Sequence, residues 1–116
     1  MNNAPVEITD LDPADLPRLE SLLTSQGLPA DDCRQQLEHF VAVYDGARLI
    51  AAGGLEPAGD CALLRSLVVV PDRRGQGLGA GLTEYLLERG RARQFEAVYL
   101  LTETAAYPRI RASASK

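Results

Sequence analysis

The chain has 116 residues, 46% of them hydrophobic and 24% charged, with no Trp, two Phe, four Tyr and a net charge of −4. That length predicts one domain over residues 1–116, the apolar fraction excludes a wholly disordered chain, and no apolar run approaches the ~20 residues of a membrane span. A pI of 4.9 argues against a general nucleic-acid binder, and the start Met1-Asn-Asn-Ala-Pro5 has neither part of a signal peptide, so a cytoplasmic location is expected.

Val6–Thr9 alternates and predicts a short first strand. Asp12 and Pro13 supply the cap and first-turn proline of a helix carrying Leu16, Leu19, Leu22 and Leu23 at helical spacing. Gly27 closes that helix and Pro29 bars its continuation; Asp31 or Asp32 then predicts the cap of a second helix to about His39, with Leu37 and Cys33 facing inward. Phe40–Tyr44 reads as a strand, Asp45-Gly46 as a hairpin turn and Arg48–Leu55 as the return strand. Pro57–Asp60 turns the chain into Cys61–Val70, which ends in the β-branched run Leu67-Val-Val-Val70 and is stopped by Pro71. After a glycine-rich loop, Leu78, Leu82, Tyr85 and Leu86 mark a helix that frays over Arg89–Arg93, and Ala97–Thr102 is a last strand. The order β-α-α-β-β-β-α-β predicts an α/β (α+β) fold, a mixed and mainly antiparallel sheet flanked by helices.

Cys33 and Cys61 form no CxxC pair, and His39 is the only histidine, so neither a disulfide framework nor a metal is implied. The charge is unevenly spread. Residues 1–60 hold three Arg against eleven acids, whereas residues 61–116 hold nine basic residues against five acids. A local basic half suits a small polyanion such as a nucleotide or coenzyme, or is surface patterning alone.

Four of the ten glycines fall within Gly75–Gly81, between an apolar strand and a helix start, with Arg73 and Arg74 beside them. Amides at such a helix start point outward with the positive end of the helix dipole, which makes a phosphate cradle; a tight strand-to-helix turn is the structural alternative. A Walker loop is excluded, because no Gly-Lys-Ser/Thr follows. The dinucleotide fingerprint fits loosely as Gly75-Gln-Gly77-Leu-Gly-Ala80, but Pro71–Arg74 intervenes between strand and glycine and hairpins precede the strand.

Taken as Arg74-x-x-Gly77-x-Gly79, with Leu67–Pro71 ahead and Leu82 after, the segment resembles the acetyl-CoA signature of the GNAT superfamily of N-acetyltransferases. Gly54-Leu-Glu56, Ala62–Val69 and Tyr99–Thr102 look like its arsenic-resistance branch; the likeness covers residues 5–107, with 108–116 as a tail. The resemblance implies acetyl-CoA as cosubstrate, with its pyrophosphate on Arg74, Gly75, Gln76, Gly77, Gly79 and Ala80 and with Arg73 as charge support. It implies a pantetheine arm paired with Leu67, Val68 and Val70, an oxyanion steadied by an amide near Val68, and direct attack by a neutral amine. Glu56 is the first candidate base and Glu103 the second; Tyr107 is a candidate stand-in for the family's tyrosine acid or a packing residue, and Arg65 and Ser66 are candidates for binding the acceptor. In the family a helix and two further strands follow the stretch matching Ala97–Thr102, so the sheet is expected to lack those final strands and its apolar edge to be covered in a homodimer. The expected function is N-acetyl transfer to a small amine or amino-acid-like acceptor, with no metal, nucleic acid or membrane. A non-catalytic acyl-CoA-binding module and a dinucleotide binder are the alternatives.

Overall fold

A computed structural model describes residues 7–100, the last by its backbone only. The chain opens with β1 (Ile8–Asp10) and a 3₁₀ turn over Pro13–Asp15, where the Asp12 carboxylate accepts from the Ala14 amide at 3.0 Å. Helix α1 (Leu16–Ser25) follows and buries Leu16, Leu19 and Leu23. Gly27, at φ 75°, ends it: Leu28 N donates to Leu23 O and Gly27 N to Thr24 O, the paired bonds of a Schellman cap.

The second helix expected from Asp31 to His39 does not form. Residues 31–36 are successive turns and only Leu37–His39 makes a 3₁₀ turn. The bonds Cys33 N to Ala30 O and His39 N to Gln36 O span three residues, and Gln36 N is shared between Asp32 O and Cys33 O. The Asp32 carboxylate, expected as a helix cap, is bonded to Arg65 instead. Cys33 is nevertheless fully buried, as expected, and Leu37 partly so.

β2 (Phe40–Asp45), β3 (Arg48–Ala58) and β4 (Cys61–Val69) form a meander joined by two tight turns, with Gly46 at φ 62° and Gly59 at φ 66°. Helix α2 (Leu78–Ala92) crosses back to β5 (Ala97–Leu100), which is parallel to β4. The five-stranded sheet has the order β1-β2-β3-β4-β5, antiparallel except for this last pair, a mixed α+β fold as the sequence predicted.

Each face of the sheet buries its own cluster. Val41, Val43, Ala51, Leu55 and Leu64 pack under Leu78, Leu82 and Leu86 of α2, while Phe40, Ala42, Ala52 and Val68 pack under Leu16, Leu19 and Leu23 of α1. Two adjacent glycines make room on opposite faces. A Cβ on Gly54 would sit 3.3 Å from the Phe40 ring, and one on Gly53 would sit 2.9 Å from Leu67 Cδ1. Nor does α2 fray at Arg89–Arg93 as expected. It runs to Ala92, and Gly90 is buried because a Cβ there would lie 2.7 Å from Val98 Cγ2, so helix and strand touch at that point.

Candidate active site

The candidate site is built on β4. Its first half is held on both sides: Cys61–Ala58 to Leu64–Leu55 on β3, and Cys61–Ala97 to Leu64–Leu100 on β5. Its second half, from Arg65 to Val69, has β3 on one side and no paired strand among the described residues on the other. The change falls at a bulge. Arg65 faces Gly54 and Val68 faces Ala52, so Ser66 and Leu67 together oppose Gly53, and Ser66 takes φ 59°.

Past the bulge the amide of Val70 donates to Ile50 O on β3 at 2.9 Å. Main-chain groups alternate sides along a strand, so Val68 also turns inward to β3 while Val69 turns its N–H and C=O to the unpaired edge. Val68 and Val70, expected to pair with a ligand backbone, therefore have their main-chain groups committed elsewhere, Val68 to β3 and Val70 to β3 through its N–H and to Arg73 N through its carbonyl. Val69, which the sequence reading passed over, is the residue that offers them. Its carbonyl accepts a hydrogen bond from Gln26 Nε2 at 3.0 Å, reaching across from the end of α1.

β4 leads into the glycine loop through a 3₁₀ turn over Pro71–Arg73. Gly75 (φ 82°) and Gly77 (φ 84°) both adopt left-handed backbone, and a Cβ on either would meet no other atom within 4 Å, so the space beside them is open. Gly77 caps α2, whose first helical bond runs from Gly81 N to Gly77 O at 2.9 Å. The amides of Leu78, Gly79 and Ala80 precede any helical acceptor and face outward with the positive end of the helix.

The arginines of this loop divide the work. Arg73 is tied down, donating to Asp45 Oδ2 at 2.7 Å and to Gln76 Oε1 at 3.2 Å. Asp72 is clasped by Arg48 through two bonds of 2.7 and 3.0 Å, and that guanidinium holds its carboxyl below the usual carboxylate range. The loop is thus braced to the β2–β3 hairpin from both directions. Arg74 is exposed and its guanidinium has no ion pair or hydrogen bond with any described residue, which leaves its charge available to an anion.

A second arginine cluster lies on the α1 face of the sheet. Arg65 Nη1 and Nη2 grip both oxygens of Asp32 at 2.7 and 2.9 Å, Nη1 also reaches Glu56 Oε1 at 2.8 Å, and Nε approaches Ser66 Oγ at 3.4 Å. Burial alone would lower the Arg65 pKa, but hydrogen bonds to Glu56 and Asp32 outweigh it and the group is held above its ordinary value. Glu56 and Arg65, expected as base and acceptor ligand, are therefore partners of each other. Glu56 Oε2 makes no hydrogen bond with a described residue. Glu103 and Tyr107 lie outside the described residues.

The structure brings Gly75–Ala80, Arg73, Arg74 and the end of β4 to one end of the sheet, and Glu56, Arg65 and Ser66 to one stretch of β3 and β4. Sequence reasoning missed Asp32, Asp45, Arg48 and Gln26. The first three are polar partners 24 to 33 residues away in the chain from the arginine or aspartate they bind, and Gln26 lies 43 residues from Val69. No local spacing rule spans such distances.

No curated protein matches the sequence. Several solved structures share the fold. Rv2747 from Mycobacterium tuberculosis in complex with CoA superposes with a TM-score of 0.76 at 19% identity, over 84% of this chain and 64% of that one. N-acetylglutamate synthase from Neisseria gonorrhoeae, complexed with coenzyme A and L-arginine, gives 0.77 at 18% identity over 90% of this chain and 26% of its own. A GNAT family acetyltransferase from Brucella melitensis in complex with acetyl-CoA gives 0.73 at 16% identity, over 90% and 80% of the two chains. This chain thus spans less than two thirds of the length of the first two. At the sequence level, residues 7–112 match the acetyltransferase (GNAT) family. That match spans nearly the whole chain, and the chain belongs to the GNAT acetyltransferase family.

Proposed function

We propose that the protein moves an acetyl group from acetyl-CoA to the amino group of a small cationic molecule. One observation carries this reading: an open strand edge at Val69 runs within a few residues into a loop of left-handed glycines and a helix start. The residues suit the coenzyme. A peptide-like arm can pair with the edge, and the space beside Gly75 and Gly77 admits a diphosphate to the amides of Leu78, Gly79 and Ala80. Arg74 adds charge, while Arg73 and Gln76 act on the loop by fixing its shape.

The thioester supplies the activated acyl group. The protein's own part is to orient it and manage protons. Glu56 accepts the proton of the acceptor ammonium through Oε2, while Arg65 holds Oε1 and fixes the carboxylate. Asp32, Arg65 and Glu56 together carry one net negative charge, which favours a cationic acceptor. An acceptor carboxylate would have to displace Asp32 or Glu56 from Arg65, so simple amines are better substrates than amino acids. Glu103 as a second base and Tyr107 as the acid that protonates sulfur complete the proposal.

The arsenic-resistance branch remains the proposed affiliation, resting on Gly54-Leu-Glu56 and Ala62–Val69. A cytoplasmic homodimer that covers the far side of β5 is proposed with it, because among the described residues β5 pairs only with β4. Light scattering at micromolar concentration checks the dimer.

A thiol-release assay with acetyl-CoA over a panel of amines and amino acids tests the function. Turnover with a small cationic amine is expected, and Glu56→Gln lowers kcat by about 10²-fold while CoA affinity is kept. Tight CoA binding without turnover on any amine would instead favour a non-catalytic acyl-CoA-binding module.

A further inference from the structure

We propose that Gln26 is a built-in stand-in for the coenzyme's amide: its side chain occupies the Val69 carbonyl in the free protein and is displaced when the arm of CoA docks. This rests on the CoA-binding reading above. Val69 is the residue past the bulge whose main-chain groups face the unpaired edge, so its carbonyl is the natural acceptor for an added strand. The donor found there is an amide N–H, the kind of donor that the secondary amides of a peptide-like arm would bring, at 3.0 Å.

The geometry suits a replaceable partner. Gln26 is the C-cap residue of α1, its own amide fixed on Leu23 O at 3.0 Å, so the backbone stays put while the side chain can swing on its free torsions. Its side chain donates to no other described residue and is only half-buried. A bare edge carbonyl in a half-buried position is costly and invites foreign strands. Gln26 satisfies it until the ligand does so. The swing also links the two halves of the site, because Gln26 begins the segment that carries Asp32 to Arg65.

Calorimetry with CoA on the full chain, comparing the wild type with Gln26→Ala and Gln26→Met, tests this. Both variants lack the donor, and Met keeps the length and packing. Removing a competing neutral hydrogen bond should tighten the CoA Kd by about three- to tenfold. A Kd that is unchanged or weaker in both variants overturns the inference, since Gln26 would then be neutral or part of the complex. In the wild type, the Gln26 side-chain amide signals should shift and exchange faster with water at CoA saturation. Signals that stay put in a saturated complex also overturn it. A wild type that fails to bind CoA removes the functional reading, and the inference falls with it; binding without displacement removes the inference alone.

Discussion

The two halves of β4 lie on one strand yet do different things. Cys61–Leu64 is clamped between β3 and β5, and Ala62 and Leu64 are fully buried under α2. Among the described residues Arg65–Val69 has a paired strand on one side only; it carries a left-handed Ser66 and leads into the glycine loop. The closed half fixes the fold and the open half turns hydrogen-bonding groups away from the sheet, the Val69 carbonyl toward Gln26. A single strand can therefore serve as both anchor and template, provided that something ends the second pairing at the right residue.

The sharpest way to break this contrast is to damage each half and ask what fails. Leu64→Ala, a cavity in the closed half, should cost about 2–5 kcal/mol in urea denaturation while the folded fraction binds CoA normally. Gly77→Val, beyond the open half, should do the reverse. A β-branched residue at φ 84° costs about 1–2 kcal/mol of stability but weakens CoA binding by more than about tenfold in calorimetry. Affinity retained in Gly77→Val would mean that the loop does not cradle the ligand.

The smallest effect belongs to the exposed brace at Arg48 and Asp72. Asp72 titrates lower in the folded chain than in the unfolded one, so its contribution is complete above the usual carboxylate range. It is lost as pH falls through the folded value. The Tm gap between wild type and Asp72→Asn should be small at neutral pH, shrink with added salt and close in acid. A gap that widens in acid would mean that the brace does not favour the ionised Asp72 carboxylate in the folded chain.

Much of the fold was legible in the sequence because the signals are local. Asp45-Gly46 and Gly59-Asp60 sit at their turns, Leu16, Leu19 and Leu23 at their helical spacing, and Gly75 and Gly77 at positive φ. Two helix readings failed for tertiary reasons. Asp32 looked like a cap, but Arg65 outbids the local amide for its carboxylate, and residues 31–36 remain turns. Arg89–Arg93 looked like a frayed end, but Gly90 within it is the contact that lets α2 lie against Val98. The polar half of the site was illegible for the same reason: Glu56 and Asp32 meet only because the meander brings them to one arginine. Nothing near Ser66 announces a bulge, since neither Gly nor Asn occupies the left-handed position.

That one extra residue acts as a phase shifter. Before it, even-numbered side chains of β4 (Ala62, Leu64) point toward α2; after it, the even-numbered Val68 points toward α1 while Leu67 and Val69 take the α2 side. The main-chain groups exchange sides with them, and this is what puts the Val69 carbonyl on the free edge. Deleting Ser66 would not simply shorten the strand. It would turn the strand's last residues over like a key inserted upside down, burying the binding groups and sending Val68 into the wrong core.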